Sequence, residues 1–205
     1  MIKQKSTIQS QQKALDLITA ILHDVEYFVF FGTLLGLTRE GNPIEGDDDI
    51  DCYVDISNQS KLINALGENG ITINRSVPWN QTEHFFQVFV ETDLGLTAVD
   101  FYFYDPLVDK QYIWEKWNFH GTPHNHDTWM KTPKPFIFPI QKEKFGNMHI
   151  PVPNKKILCC EWLYGSSWKV PKKKKLEYQM RVFSGKPLMF ERDANSKSQS
   201  FNLSP

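Results

Sequence analysis

A mixed α/β (α+β) fold, a β-sheet flanked by helices, is what this sequence predicts, and three observations carry the prediction. The apolar and aromatic run Tyr27 to Phe31 closes on Gly32 and passes into a helical pattern. Asp49, Asp51, Tyr53 and Asp55 alternate with Ile50, Cys52, Val54 and Ile56, the period of a strand with one acidic and one apolar face. HFFQVFVE and LTAVDFYFY stand either side of a short connection containing Thr92, Asp93 and Gly95, which predicts an antiparallel hairpin.

Taken in order, Ile8, Leu15, Ile18 and Leu22 recur at helical spacing and predict an amphipathic helix between Ser6 and His23, covering one face of the sheet. Tyr27 to Phe31 reads as a buried strand, and Thr33 as the cap of the helix that TLLGLTRE begins. After the acidic strand, Asn58 or Ser60 starts a helix that runs to about Glu68 and stops at Gly70, and Ile71 to Val77 reads as a strand. In the second arm of the hairpin Val99, Phe101 and Phe103 point one way, and Asp100, Tyr102 and Tyr104 the other. Residues 105–139, with their prolines, histidines and tryptophans, read as a long irregular region with one strand at Tyr112 to Trp114. Such loops often bind substrate. A second hairpin turns at Gly146-Asn147, Asn154 caps a helix to Tyr164, Gly165 stops it, and PKKKKLEYQMRVF reads as a last helix. The organisation expected is one catalytic unit over 1–183 with a mobile tail at 184–205.

Composition narrows the function classes. Lys and Arg total 23 against 24 Asp and Glu, so the overall charge gives no case for nucleic-acid binding and any electrostatic function is local. Cys52, Cys159 and Cys160 form neither an even framework nor a CxxC pair, which points to a reducing compartment. Nothing approaches the roughly 20 apolar residues needed to span a bilayer. The expectation is a soluble, cytoplasmic protein with at most peripheral contact to a membrane surface.

The chemistry concentrates in the acidic strand. Residues two apart on a strand sit roughly 6.5 Å apart with side chains on one face, so Asp49 and Asp51 can grip one ion. Asp100 interrupts an apolar and aromatic strand, where an unpaired charge is costly, and is the third carboxylate of an oxygen cage for Mg²⁺. The plainer reading of Asp47, Asp48 and Asp49 is a solvated acidic turn. Gly32-Thr33 is either a simple turn or a helix start whose backbone N–H groups hold a phosphate. His120, His124 and His126 lack the spacing of a zinc site and read as a surface loop or substrate contact. Lys172 to Lys175 read as a solvated face or as an attractor of an anionic substrate. Cys159-Cys160, Trp162, Tyr164 and Trp168 read as packing, although an aromatic face can also hold a quaternary ammonium group.

FFGTLLGLTREG followed by DDDIDCYVD resembles the signature of the LicD and fukutin-like family, within the polymerase-β-type nucleotidyltransferase superfamily. The later VDFY and the segment VPNKKILCCEWLYGSSWKVP are similar to that family's second acidic strand and its terminal Leu-Tyr-Gly-x-x-Trp element, so the resemblance spans roughly residues 26 to 171. The sequence departs from the pattern at Glu45-Gly46, where the family usually has Pro-Trp. The resemblance implies a nucleotidyltransferase-like mixed sheet and a transferase that moves a phosphorylated alcohol, such as phosphocholine or a polyol phosphate, from a CDP-linked donor to a glycan hydroxyl. Mg²⁺, or Mn²⁺ in its place, is the implied cofactor. By position, Asp49, Asp51 and Asp100 are the implied metal ligands and catalytic carboxylates, and Asp47 takes the leading acidic position. Gly32, Thr33 and Arg39 face the donor phosphates, while Tyr164 and Trp168 stand near the active-site wall. Two other functions stay open: transfer of NMP from an NTP to a small molecule, and non-catalytic binding of a nucleotide or glycan on the same fold.

Overall fold

In the computed structural model, residues 7–79, 82–107, 109–116, 128–172 and 183–184 are described. Helix α1 spans Ile8–Ile21 and starts with a capping box: the Ser10 N–H donates to Thr7 Oγ1 at 3.1 Å and the Thr7 N–H to Ser10 Oγ at 3.0 Å. Its stripe of Ala14, Leu15, Ile18 and Ile21 is buried, and each large side chain so placed contributes about 1.5–3 kcal/mol.

The main sheet runs β1-β2-β5-β4-β3. Its strands are β1 (Tyr27–Val29), β2 (Asp49–Asp55), β3 (Ile73–Trp79), β4 (Thr82–Thr92) and β5 (Gly95–Tyr104). The β2/β5 pair is parallel and every other pair is antiparallel, so the sheet is mixed, as the sequence predicts. Helix α1 packs across β2, β4 and β5, and the Tyr27 hydroxyl donates to Thr19 Oγ1 at 3.0 Å. Tyr27 pairs with Val54, so α1 covers the face carrying Ile50, Cys52, Val54, Val99, Phe101 and Phe103, all buried. The opposite face carries Asp49, Asp51 and Asp100. It is also buried over much of its extent, because Phe28, Phe30, Phe31, Tyr53, Tyr102 and Tyr104 pack together on it.

Between these strands lie α2 (Phe31–Glu40), a 3₁₀ turn (Ile56–Asn58) and α3 (Gln59–Glu68). The helix of TLLGLTRE begins two residues before Thr33, at Phe31, which the sequence assigns to the strand. Thr33 does not cap it, since the residue before the helix is Phe30 and no side chain caps that end. Asp55 ends β2 by accepting the Ser57 N–H at 2.8 Å, and α3 stops before Gly70, whose φ of +70° suits glycine.

The described residues between 105 and 139 carry more regular structure than their composition suggests. β6 (Tyr112–Lys116), β7 (Thr128–Pro133) and β10 (Phe183–Ser184) form a second sheet in the order β10-β7-β6, and α4 (Lys134–Ile137) follows. Phe183, placed by sequence at the end of a last helix, pairs instead with Trp129. The strand alternation here is short and interleaved with polar residues, so it leaves little local signal. The hairpin of β8 (Gln141–Phe145) and β9 (Met148–Val152) turns at Gly146-Asn147 as expected. Helix α5 (Lys156–Tyr164) lies against α2 and ends at Gly165, φ +76°. Asn154 does not cap α5; its Nδ2 donates to the Phe138 carbonyl at 3.4 Å. Cys159, Cys160, Tyr164 and Trp168 are buried, as a packing role requires, and Trp162 Nε1 donates to the Lys131 carbonyl at 2.7 Å. His120, His124, His126 and Lys173 to Lys175 lie outside the described residues. Among the described residues no helix is long and apolar enough to cross a membrane.

Two glycines test the packing from opposite sides. A Cβ on Gly36 of α2 meets the Asn42 carbonyl oxygen at 2.7 Å and the Ile44 nitrogen at 2.9 Å, backbone atoms of the segment that leads into the acidic strand. Gly36→Ala is expected to destabilise by about 1–3 kcal/mol. A Cβ on Gly67 of α3 meets nothing within 4 Å, so Gly67→Ala is expected to stabilise by about 0.5–1 kcal/mol. Urea denaturation of the two variants checks both signs.

Candidate metal centre

The parallel register of β2 and β5 sets Asp51 beside Asp100, because neighbouring positions on adjacent strands share a face. Asp49 precedes Asp51 by two residues on that face. Carboxylate oxygens of Asp49, Asp51 and Asp100 lie within 4.8 Å of one another, and so do those of Asp47, Asp48 and Asp49. The two groups differ in setting. Asp51 and Asp100 are 2% and 3% exposed, whereas Asp48 is exposed. The acidic turn is therefore the solvent-facing approach to a buried cluster.

Asp51 is fixed from three directions. Its carboxylate Oδ2 accepts the Gly32 N–H at 2.9 Å, its own N–H donates to Thr33 Oγ1 at 2.8 Å, and its carbonyl accepts the Phe30 N–H at 3.0 Å. The start of α2 thus receives a carboxylate of the chain itself, at the positive end of the helix dipole. The Gly32 N–H goes to Asp51, and the Thr33 oxygen holds the backbone of β2. To make this turn, Phe31 adopts φ +42°, a left-handed conformation costing about 1–3 kcal/mol for a non-glycine residue. Its ring, 5.5 Å from Tyr53 and 5.1 Å from Tyr102 between centroids, is buried by that conformation.

Gly32 is required here by space. A Cβ at that position would stand 2.6 Å from Asp47 Oδ2 and 3.3 Å from Asp51 Oδ2. Asp47 therefore closes over Gly32 beside the cluster, and its carbonyl accepts Gln11 Nε2 at 2.7 Å from a side chain only 1% exposed. Gln87 of β4 pairs with Asp100, and its Nε2 donates to Asp100 Oδ1 at 2.8 Å. The sequence carries a signal for Gln87, which interrupts HFFQVFVE as Asp100 interrupts LTAVDFYFY. Gln11 carries none.

Arg39 sits in the last turn of α2, about 10 Å along the helix axis from Gly32, with its guanidinium Nη2 on Glu40 Oε1 at 2.6 Å. Its charge is also felt at Cys160 of α5, a thiol that burial pushes up to about 12. Cys52, on the opposite face of β2, is pushed well up by burial and then by the charges of Asp51 and Asp100, so it stays a thiol.

The donor set decides what such a cluster suits. Three carboxylates with hard oxygen atoms and no thiolate or imidazole among them match Mg²⁺ or Mn²⁺ rather than a softer ion. Two of them are nearly buried, where like charges repel strongly and a cation offsets the cost.

The model of the LicD/FKTN/FKRP nucleotidyltransferase domain matches residues 24–155, more than half of the sequence. The chain belongs to this family. Its fold is accordingly that of a nucleotidyltransferase, and the protein is a transferase. No curated protein matches the sequence. Among solved structures, the lincomycin-bound lincosamide antibiotic adenylyltransferase LnuA is similar at 19% identity and a TM-score of 0.47, over 71% of this chain and 82% of that one. A nucleotidyltransferase-like protein of Thermotoga maritima is similar at 18% identity and a TM-score of 0.43, over 75% of this chain and 83% of that one. ANT(2")-Ia in complex with adenylyl-2"-tobramycin is similar at 12% identity and a TM-score of 0.47, over 95% of both chains.

The clamp on Asp51 separates positioning from packing. Thr33→Val removes the acceptor of a buried N–H at nearly constant volume and is expected to cost about 1–3 kcal/mol, while Thr33→Ser retains most of the stability. Gly32→Ala is expected to weaken Mn²⁺ binding about tenfold or more, measured by electron paramagnetic resonance, because 1.4 kcal/mol of displacement at the carboxylates suffices for that factor.

Proposed function

We propose that this protein moves a phosphorylated alcohol from a CDP-linked donor to a glycan hydroxyl, on a site built from Asp49, Asp51 and Asp100. The observation that carries the reading is the convergence of those three carboxylates on adjacent, parallel strands of a LicD/FKTN/FKRP-family chain. A divalent cation bound by them, Mg²⁺ or Mn²⁺, supplies neutralisation of the phosphate charge.

The protein's own part is positioning. Gly32 and Thr33 hold Asp51, Asp47 closes the turn above Gly32, and the rings of Phe31, Tyr53 and Tyr102 exclude water beside the acids. A water-poor surround strengthens every electrostatic interaction within it. Asp100, held at Oδ1 by Gln87, takes the proton of the acceptor hydroxyl as its oxygen bonds to the phosphorus of the alcohol phosphate. The bond from that phosphorus to the bridging oxygen breaks, and CMP leaves with the electron pair. The same reading treats residues 1–183 as one catalytic unit. It sets the protein in a reducing, cytoplasmic compartment, consistent with the free and buried thiols of Cys52, Cys159 and Cys160.

The test is incubation with Mg²⁺, candidate glycans and a panel of CDP-choline, CDP-ethanolamine, CDP-glycerol and CDP-ribitol. CMP release that depends on the glycan is the expected result. Pyrophosphate released from an NTP, with no CMP from any CDP-alcohol, would mean NMP transfer instead. Asp51→Asn is expected to lower turnover about a hundredfold or more. Near-normal turnover of that variant in saturating Mg²⁺ would remove Asp51 from the site.

A further inference from the structure

The register of the main sheet places one more charged residue in line with the acids. Arg75 of β3 pairs with Gln87 of β4, Gln87 pairs with Asp100 of β5, and Asp100 stands beside Asp51 of β2. Directly paired residues share a face of a sheet, so these four side chains form one row on the carboxylate face. At about 4.8 Å between strands, Arg75 lies about 10 Å from Asp100 along the row.

The position of the guanidinium fits this register. Arg75 Cζ lies 6.0 Å from the centroid of the Phe85 ring, and Phe85 is two residues from Gln87 on the same face of β4. Phe85 packs on Tyr102 at 5.2 Å, and Tyr102 on Phe31 at 5.1 Å. An aromatic floor therefore runs from beneath the Arg75 guanidinium to the residue before Gly32, with Asp100 and Asp51 beside it. Phe85 is fully buried while Arg75 is exposed, so the cation stands at the open rim of this floor.

We propose that Arg75 is the specificity-determining cation of the site and receives the phosphate of the nucleotide half of the donor. The role rests on the CDP-donor reading given above. The carboxylate row takes the cation-bound end of the diphosphate, and the guanidinium takes oxygens at the other end, over the aromatic floor. Gln87 is shared between the two halves, since it is Arg75's strand partner and Asp100's hydrogen-bond donor. A guanidinium presents its donors as a planar fork that matches phosphate oxygens, and lysine does not reproduce this.

The experiment uses the full chain with Arg75→Gln and Arg75→Lys. Binding of CDP and CMP in Mg²⁺ is followed by calorimetry, Mn²⁺ affinity without nucleotide by electron paramagnetic resonance, and turnover by CMP release. Arg75→Gln is expected to weaken CDP binding about ten- to hundredfold, the usual worth of a charged hydrogen bond. Mn²⁺ affinity is expected to stay unchanged, and Arg75→Lys to recover only part of the loss. Wild-type CDP affinity in Arg75→Gln overturns the assignment. A parallel loss of Mn²⁺ affinity also overturns it, by showing a structural effect on the sheet. Should the native protein bind CDP through Arg75 and turn over no CDP-alcohol, the Arg75 site stands and the proposed reaction falls.

Discussion

Three hydrogen bonds between Asp51 and the segment Phe30 to Thr33 are the constraint on which the rest of the site depends. They tie the first turn of α2 to the middle of β2. Each net contribution is modest, about 1 kcal/mol, but leaving any buried partner unmade costs more than making it gains. The positive φ of Phe31 is tolerated because the same turn buries its ring against Tyr53 and Tyr102. Strain at one residue is thereby offset by burial at that same residue, and the carboxylate is held at a helix end whose dipole favours its charge.

The acids are also the reason the aromatic cluster matters. Carboxylates on an open sheet face would be hydrated and weakly coupled. Here Asp51 and Asp100 are nearly buried, and their charges reach through the sheet to Cys52, adding to the upward push that burial gives its thiol. Such a face is costly to fold without a counter-charge, so a cation bound there would make binding and native stability two views of one free energy. Asp47, Asp48 and Asp49 extend the negative potential outward from it.

How much of this could be read in the sequence follows from which interactions are local. The alternation of DIDCYVD and the break made by Asp100 in an aromatic strand are local patterns, and the strands, the hairpin and the three carboxylates were legible from them. Thr33 was misread as a cap because a hydroxyl near a helix start has several partners in reach, and only the fold shows that the Asp51 N–H is the one. Gln87 and Arg75 owe their places to cross-strand register, which a single sequence does not display. Arg39 matched a motif position, and its guanidinium holds Glu40 while α2 packs on α5. Of the second sheet only β6 was legible, at Tyr112 to Trp114; β7 is short and interleaved with polar residues, and β10 lies far from it along the chain.

The parallel pairing of β2 with β5 has a consequence for how the protein comes into being. The strands that bring Asp51 and Asp100 together are separated along the chain by α3, β3 and β4, so they cannot meet through a simple turn. Contacts of such long range form slowly, because loop closure precedes any stabilising contact. A nascent or partly unfolded chain holds its acids apart, as separate and well-hydrated charges with little affinity for a metal. A cation held by all three carboxylates would therefore count only molecules whose sheet is complete, as an inspector of finished folds.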